Sequence, residues 1–292
     1  MSIKIQQKTI TEIKKAIEGA DYIIIGAGAG LSASAGLNYA DEAFFSEAYK
    51  PFLKKGYKTI WEAISGNWKQ TTFSSQKYWG FWAYHANQIF YNPNQSTVYK
   101  NLYDLIKNKD YYVITTNCDG QFYKGGFDPK RIFAMQGSYG LYQCSKPCTD
   151  DVYDNEVMIR NMLDGFNADT LKIRKEDIPK CPNCGRPLTT NLRIDDRFVD
   201  KPHLVNAGLY SSFVNQAIDK KLVLLELGVG FNTPVIIRFP FEKLAYDNEN
   251  ITLIRMNTFN PQIGMKLDGR AYSIDDDIAE VLERLVSPRA YE

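Results

Sequence analysis

Histidine is scarce in this sequence of 292 residues, which contains only His85 and His203. Neither stands in a recognised motif, and we interpret both as ordinary surface or core residues. An excess of one charge is also lacking, because 35 Lys and Arg are balanced by 34 Asp and Glu. Nucleic-acid-binding proteins usually carry a basic excess, so the composition argues against nucleic acid as a partner.

Long apolar runs are absent as well. No stretch approaches the roughly 18 apolar residues that a transmembrane helix needs, and segment 1–19 lacks the apolar middle region of a secretion signal. We therefore expect a cytoplasmic protein with no membrane partner. Only five cysteines occur, four of them in two short pairs. In a reducing compartment, such pairs indicate a metal site before a disulfide.

Short apolar runs alternate with helical patterns along the chain. Residues 22–25 form such a run, and the glycines that follow it are typical of the end of a buried parallel strand. Similar runs recur at 111–114, 132–135, 222–227 and 251–256. Segment 9–19 carries isoleucines at helical spacing. The sequence therefore predicts an α/β fold, a Rossmann-like parallel sheet with helices on both faces.

One segment, 138–199, does not follow this alternation of strand and helix patterns, and it contains both cysteine pairs. We interpret it as a smaller inserted zinc-binding module. Residues 1–137 and 200–292 would then form a dinucleotide-binding domain with a helical part around 40–95. The aromatic stretch 78–91 either lines an apolar pocket or is buried in a second small lobe, and we favour the second interpretation.

The cysteine spacing is suited to one metal ion. Cys144 and Cys148 enclose three residues, Cys181 and Cys184 enclose two, and the second pair lies in a Pro-Asn-Cys-Gly turn typical of a zinc knuckle. Four thiolates complete a tetrahedral zinc site and leave no position open for substrate. The zinc is therefore expected to be structural. The alternative is a module that has lost its metal and keeps four free cysteines.

A glycine-rich turn follows the first predicted strand directly. Residues 26–36 read Gly-Ala-Gly-Ala-Gly-Leu-Ser-Ala-Ser-Ala-Gly. Glycines let the backbone approach a pyrophosphate closely, and the N–H groups that open the next helix point at its charge. We predict dinucleotide binding here, the alternative being a tight structural turn. Leu31 occupies the third glycine position of the dehydrogenase fingerprint, so a hydride-transfer enzyme fits poorly.

Several motifs together resemble those of the sirtuin family. Residues 28–36 resemble its Gly-Ala-Gly-x-Ser-x-x-Ala/Ser-Gly motif, and Thr-Thr-Asn-Cys-Asp-Gly at 115–120 resembles Thr-Gln-Asn-Ile-Asp-Gly. Gln136 precedes Gly137 where the family has His-Gly, and the two cysteine pairs follow. Segments 228–234 and 255–257 resemble the family's later glycine turn and Ile-Asn motif. The order of these motifs matches over about residues 10–287.

The resemblance implies NAD as a consumed substrate, with Asp119 bound to the nicotinamide carboxamide and Asn117 orienting a water or the ribose. A buried carboxylate would also stabilise the positive charge that develops on the sugar. Asn117, Asp119 and Gln136 are the implied catalytic residues. The implied cofactor-binding residues are Gly28, Ala29, Gly30, Ser32, Ser34, Thr115, Thr116, Asn117, Asp119, Gln136, Gly228, Gly230 and Asn257.

Two departures from the family pattern bear on the reaction. Leu-Asn-Tyr-Ala-Asp at 37–41 replaces Ile-Pro-Asp-Phe-Arg, and Gln136 replaces the histidine that takes a ribose proton during deacetylation. An amide cannot act as a base, although it donates and accepts hydrogen bonds. Losing a general base typically costs about 10² to 10⁴ in rate. Deacylation should therefore be strongly impaired. Transfer of ADP-ribose does not need this proton step and should be retained, with Gln136 positioning the ribose.

This combination resembles the macrodomain-linked sirtuins of bacteria and fungi. That resemblance implies mono-ADP-ribosylation of a lipoyl-carrier protein similar to the glycine-cleavage H protein, with a macrodomain hydrolase as functional partner. One alternative is an NAD-dependent deacylase that uses another base. The other is a non-catalytic NAD-sensing module, which Asn117 and Asp119 argue against. Cys118 lies between these two residues, and we interpret it as a small apolar filler.

Overall fold

The computed structural model describes residues 7–67, 75–267 and 269–287. Its strands are β1 Tyr22–Ala27, β2 Asp110–Thr115, β3 Ile132–Ala134, β4 Gly137–Cys144, β5 Val152–Asp154, β6 Leu188–Leu192, β7 Leu222–Leu227, β8 Ile251–Met256 and β9 Ala271–Ile274. Its helices are α1 Gln7–Gly19, α2 Ala29–Ser34, α3 Glu42–Ala48, α4 Lys50–Leu53, α5 Ile60–Asn67, α6 Gln76–Ala86, α7 Thr97–Ile106, α8 Gln121–Lys124, α9 Glu156–Asp164, α10 Lys201–Ala217, α11 Arg238–Asp247 and α12 Ile278–Val286. A π-helical turn, Asn87–Tyr91, extends α6.

A parallel six-stranded sheet has the order β3-β2-β1-β7-β8-β9. In its centre, Tyr22 of β1 pairs with Asp110 of β2 and with Leu222 of β7. The chain builds the sheet outward from β1 in one direction and from β7 in the other. Open α/β sheets bind ligands beyond the carboxyl ends of their strands at such a reversal of strand order. The predicted α/β fold is therefore confirmed, and its topology places a site beyond β1 and β7.

Helices cover both faces of this sheet, which explains why its central strands are apolar runs. Helices α1, α7 and α12 pack on one face, where Ile13, Ile17 and Leu282 are fully buried. Helices α10 and α11 pack on the other face, where Phe241 and Ala245 are fully buried. Strand β9 was not anticipated from the sequence, because its half-exposed residues form no apolar run.

A second lobe joins the cysteine-containing segment to the helices that precede it in sequence. Its antiparallel sheet has the order β5-β4-β6. One apolar core contains Phe45 of α3, Trp79 of α6, Tyr142 of β4 and Ile159 of α9. The rings of Trp79 and Tyr142 lie 4.9 Å apart. Four of the five aromatic residues of α6 are thus buried in this lobe, as favoured above. No described helix is both long and apolar enough to cross a bilayer.

Candidate active site

A cleft of about 360 Å³ opens beyond the carboxyl ends of β1, β2 and β7. Loops from the large sheet line most of it, and the second lobe contributes side chains such as Tyr139. The predicted site residues that line it are Gly28, Ala29, Gly30, Ser32, Thr116, Asn117, Asp119, Gly228, Gly230 and Asn257. The sheet therefore brings together motifs that are about 230 residues apart in sequence.

The floor of the cleft is formed by two glycine turns in direct contact. Gly30 N–H donates to the carbonyl of Gly228 at 3.0 Å. A Cβ atom on Gly28 would lie 2.7 Å from the Gly228 carbonyl oxygen, and one on Gly30 would lie 2.6 Å from the Gly228 Cα. Gly228 itself has a φ of 63°. Only glycine fits these positions, and the resulting approach leaves the backbone exposed to a ligand.

Of the amides that open α2, that of Gly30 donates to Gly228 and that of Leu31 donates to the Gly28 carbonyl at 3.1 Å, which leaves the Ala29 N–H available to an anion. Gly28 caps this helix without a side chain, so no side-chain oxygen occupies the first N–H groups. Such groups carry a partial positive charge and suit a phosphate. Ser32 lies in the same helix and is directed to the polar cluster described next.

A buried polar cluster connects four side chains from three elements. Ser32 Oγ donates to Asp119 Oδ2 at 2.5 Å and lies 2.8 Å from the hydroxyl of Tyr99. Asn117 Nδ2 donates to the Gly28 carbonyl at 3.0 Å and to Ser32 Oγ at 3.1 Å. Gln121 N–H donates to the second oxygen, Oδ1, of Asp119 at 3.0 Å. Asn117 and Asp119 are thus held rigidly by groups on α2, α7 and α8.

Asp119 is 5% exposed, and its burial raises the pKa of the carboxyl group. The hydrogen bonds from Ser32 and the Gln121 N–H act in the opposite direction, because they stabilise the anion. Asp119 is the only carboxylate among the described residues that line the cleft. It is a buried acid that a cationic centre nearby would favour in its ionised form.

Three of the predicted cofactor-binding residues do not line the cleft. Ser34 Oγ donates to the Leu31 carbonyl at 3.0 Å, within its own helix. Thr115 Oγ1 donates to the Ala27 carbonyl at 3.1 Å and so ties β2 to β1. The backbone carbonyl of Gln136 accepts hydrogen bonds from the Arg193 N–H at 3.0 Å and from the Cys118 thiol, Sγ, at 3.5 Å. All of these hydrogen bonds are to neighbouring groups of the protein. The three residues therefore stabilise the backbone next to the cleft wall.

The sequence did not identify an aromatic side of the cleft. Tyr39 and Tyr139 line it with their hydroxyls 3.4 Å apart, and the ring of Trp61 lies 5.3 Å from that of Tyr39. Burial raises the pKa of both phenols, so they are neutral hydrogen-bonding groups and not bases. Tyr39 falls in the segment 37–41 that departs from the family pattern, which was the available clue. Tyr99 carried no sequence clue, since it lies on a helix remote from the motifs.

Neither histidine supplies a base to this cleft. His85 is fully buried in the second lobe, where Nδ1 lies 2.8 Å from the Tyr49 hydroxyl. Its burial lowers its pKa to about 3, so it is neutral at physiological pH. His203 Nε2 lies 2.7 Å from Asn191 Oδ1 in a different part of the fold. Cys118 lines the cleft, but burial raises its thiol pKa, as expected for an apolar filler.

Four cysteine thiols converge in the second lobe. Their sulfur atoms all lie within 4.8 Å of one another, with Cys144 and Cys184 at 3.6 Å and Cys148 and Cys181 also at 3.6 Å. A tetrahedral ion with zinc–sulfur bonds of about 2.3 Å requires sulfur separations near 3.8 Å. The donor set therefore fits zinc. None of the four thiols lines the cleft, so this site is distant from its chemistry.

Two curated proteins are similar to this chain over most of its length. A protein ADP-ribosyltransferase of Staphylococcus aureus is 31% identical over 290 residues, which cover 97% of this chain and 89% of that protein. A probable bifunctional ADP-ribose hydrolase/ADP-ribosyltransferase of Fusarium oxysporum f. sp. cubense is 29% identical over 258 residues. That alignment covers 86% of this chain and 42% of the fungal protein. No family model matches the chain.

Solved structures share the fold at low sequence identity. A Sir2 homologue in complex with NAD superimposes with a TM-score of 0.56 at 16% identity, covering 94% of this chain and 91% of that one. A second Sir2 enzyme structure gives the same TM-score and identity, covering 96% and 97%. The order of layers described above is therefore that of the Sir2 fold.

Proposed function

Because this chain belongs to the sirtuin-type protein ADP-ribosyltransferases, we propose that it transfers ADP-ribose from NAD to a protein and releases nicotinamide. The observation that carries the proposal is the composition of the cleft. It keeps Asn117 and Asp119 in a rigid hydrogen-bonded cluster, and no histidine is among the described residues that line it. The Sir2 homologue solved with NAD shares this fold and supports NAD as the ligand.

The proposed reaction breaks the bond between the nicotinamide nitrogen and ribose C1′. The bonding electrons leave with nicotinamide, and the sugar becomes an oxocarbenium-like cation that a nucleophile of the acceptor protein attacks. The displaced proton passes from the acceptor to solvent. Asp119 would stabilise the cation electrostatically and bind the carboxamide, because it is the one carboxylate on the described cleft wall.

The remaining residues would bind and orient the substrate. In the two glycine turns, the N–H groups of Ala29 and Gly230, which make no backbone hydrogen bond within the described residues, would hold the pyrophosphate. Asn117 would orient the ribose, although its amide is already bonded to Gly28 and Ser32. Asn257 would contact the nucleotide from the end of β8, and Ser32 and Thr116 would complete the wall. Gln136, which does not line the cleft, would act by fixing the backbone next to Cys118.

Without a base in the cleft, deacylation is disfavoured. That reaction needs a ribose hydroxyl to be deprotonated, and the raised pKa values of Tyr39 and Tyr139 keep both phenols protonated at neutral pH, so neither is a phenolate that could accept the proton. ADP-ribose transfer does not need this step. We therefore propose that the transferase activity is dominant and that the zinc ion held by the four cysteines only stabilises the second lobe.

We further propose that the acceptor is a lipoyl-carrier protein similar to the glycine-cleavage H protein, and that a macrodomain hydrolase removes the mark. The fungal relative supports a reversible modification, because its name combines an ADP-ribose hydrolase with an ADP-ribosyltransferase. We place the reaction in the cytoplasm, which suits a protein whose cysteines bind zinc in a reducing compartment.

Labelling with biotinylated NAD tests the proposal. The enzyme is incubated with lipoylated and unlipoylated carrier, and label transfer is read after denaturing electrophoresis. Asn117→Ala should abolish labelling, because it removes the amide bonded to Gly28 and Ser32. Asn206→Ala is the matched control, since Asn206 Nδ2 also donates to a backbone carbonyl, at 2.8 Å, but from α10. Equal labelling by both variants would overturn the site assignment. Absence of labelling with the wild type would overturn the acceptor.

A further inference from the structure

Two loops on the β7–β8 side of the cleft have separate origins in the chain. The 228–234 loop follows β7 and contributes Val229, Asn232 and Thr233 to the wall. The 257–262 loop follows β8 and contributes Phe259 and Asn260. Asn257 joins them directly, because its Nδ2 donates to the Val229 carbonyl at 2.8 Å. Parallel strands position the starts of these loops, but not the loops' more distant residues.

Arg238, the first residue of α11, connects the start of the 228–234 loop with the distal part of the 257–262 loop. Its Nη1 donates to the Val229 carbonyl at 3.3 Å and to the Asn260 carbonyl at 2.9 Å. Its Nη2 donates to the Gln262 carbonyl at 2.8 Å. The side chain is 3% exposed. It does not line the cleft, so it reaches the ligand site only through the backbone that it holds.

The positive charge of Arg238 is balanced within a buried network. Arg255 makes a bidentate pair with Glu226, at 2.7 and 2.8 Å, and contacts Glu242 at 2.7 Å. Arg238 Nη1 lies 3.8 Å from Glu226. Two arginines thus face two glutamates and the group is neutral. A buried group of this kind is costly to break, because loss of one member leaves an uncompensated charge.

We propose that Arg238 is a positioning residue for nucleotide binding: it fixes the 228–234 and 257–262 loops relative to each other, and it thereby sets the affinity for NAD. This inference rests on the proposed binding of NAD in the cleft. Arginine suits the role because its planar fork donates several hydrogen bonds in fixed directions, which lysine cannot reproduce. The chemistry of bond cleavage stays with Asn117 and Asp119 at the carboxyl end of β2.

The experiment measures the dissociation constant of NAD by calorimetry, and KM and kcat for nicotinamide release. Arg238→Met should weaken NAD binding by about 10- to 100-fold, the range typical of removing an outer group that orients binding residues. KM should rise with it, while kcat at saturating NAD changes little. Arg238→Lys should recover part of the affinity. Arg270→Met is the matched control, because Arg270 Nη1 also donates to three carbonyls, those of Ala245, Asn248 and Ile251.

A double variant, Arg238→Met with Glu242→Gln, separates tethering from charge. It restores neutrality to the buried group but not the bonds to the loop carbonyls, so the weak binding should persist. Recovery of wild-type affinity in the double variant would overturn the inference, as would equal weakening by Arg270→Met. Unchanged NAD affinity in Arg238→Met would also overturn it, without affecting the proposed function. Failure of the wild type to bind NAD at all would overturn both.

Discussion

Replacing Asp119 with asparagine should separate catalysis from stability. Asparagine keeps the shape of the side chain and can still accept from the Gln121 N–H, which now donates to Oδ1 at 3.0 Å. It removes the only carboxylate on the described cleft wall. With an effective dielectric of about 20, a carboxylate about 5 Å from a unit positive charge contributes about 3 kcal/mol. The rate of nicotinamide release should therefore fall by about 10²-fold.

The same substitution should not destabilise the fold. Burial raises the pKa of Asp119 above its ordinary value of 3.8. The folded state therefore binds this proton more tightly than the unfolded state does. The resulting stabilisation is fully present below the unfolded pKa and is lost as pH rises through the folded pKa. Above the folded pKa the ionised Asp119 therefore costs stability, and in that range Asp119→Asn should have a Tm equal to or above that of the wild type.

The assay follows nicotinamide release at saturating NAD and acceptor between pH 4.5 and about 8, with Tm measured in parallel. Wild-type kcat should fall on the acid side as Asp119 takes up its proton, and the variant should lose that acid limb. A variant with kcat close to wild type would refute the electrostatic role. A variant that loses activity and several degrees of Tm together would show that Asp119 acts mainly by holding the cluster.

Three further predictions follow from the structure. Tyr99→Phe should lower kcat about fivefold by removing one hydrogen bond to Ser32, and an unchanged kcat in steady-state assays would show that this bond is dispensable. Cys181→Ser should remove one zinc ligand, so zinc content and Tm should both fall; full zinc retention by elemental analysis would contradict the four-thiol site. Gln136→His should not produce deacylation, because Gln136 does not line the cleft, and release of O-acetyl-ADP-ribose by this variant would show that a histidine here reaches the ribose.

The sequence was most informative where local chemistry determines the structure. Apolar runs predict parallel strands because both faces of the sheet are covered, and the glycines at 28 and 30 report a backbone contact that excludes any side chain. Asn117 and Asp119 were located because the motif at 115–120, which follows a predicted strand, resembles that of the sirtuin family. These are relations between neighbours in the chain, or consequences of the rule that ligands bind beyond the ends of parallel strands.

The parts that were missed depend on packing between distant segments. Tyr99 reaches Ser32 only because α2 and α7 share the core on one face of the large sheet, and Tyr139 faces the cleft only because β4 belongs to the second lobe, which contributes to its wall. Arg238 connects two loops by bonding to their backbone carbonyl groups. Every residue type has such a carbonyl, so the sequence does not indicate the contact. Gln136 was predicted from its alignment with a catalytic histidine, but it does not line the cleft, and alignment alone does not determine which residues line a cavity.

The most direct test of the central claim is a product balance in one reaction. Enzyme, NAD, an acetylated peptide and a lipoylated carrier are mixed, and nicotinamide, ADP-ribosylated carrier and O-acetyl-ADP-ribose are quantified by mass spectrometry. The transferase account predicts one ADP-ribosylated carrier for nearly every nicotinamide released, with no detectable O-acetyl-ADP-ribose. Nicotinamide release matched instead by O-acetyl-ADP-ribose, with the carrier unmodified, would contradict it.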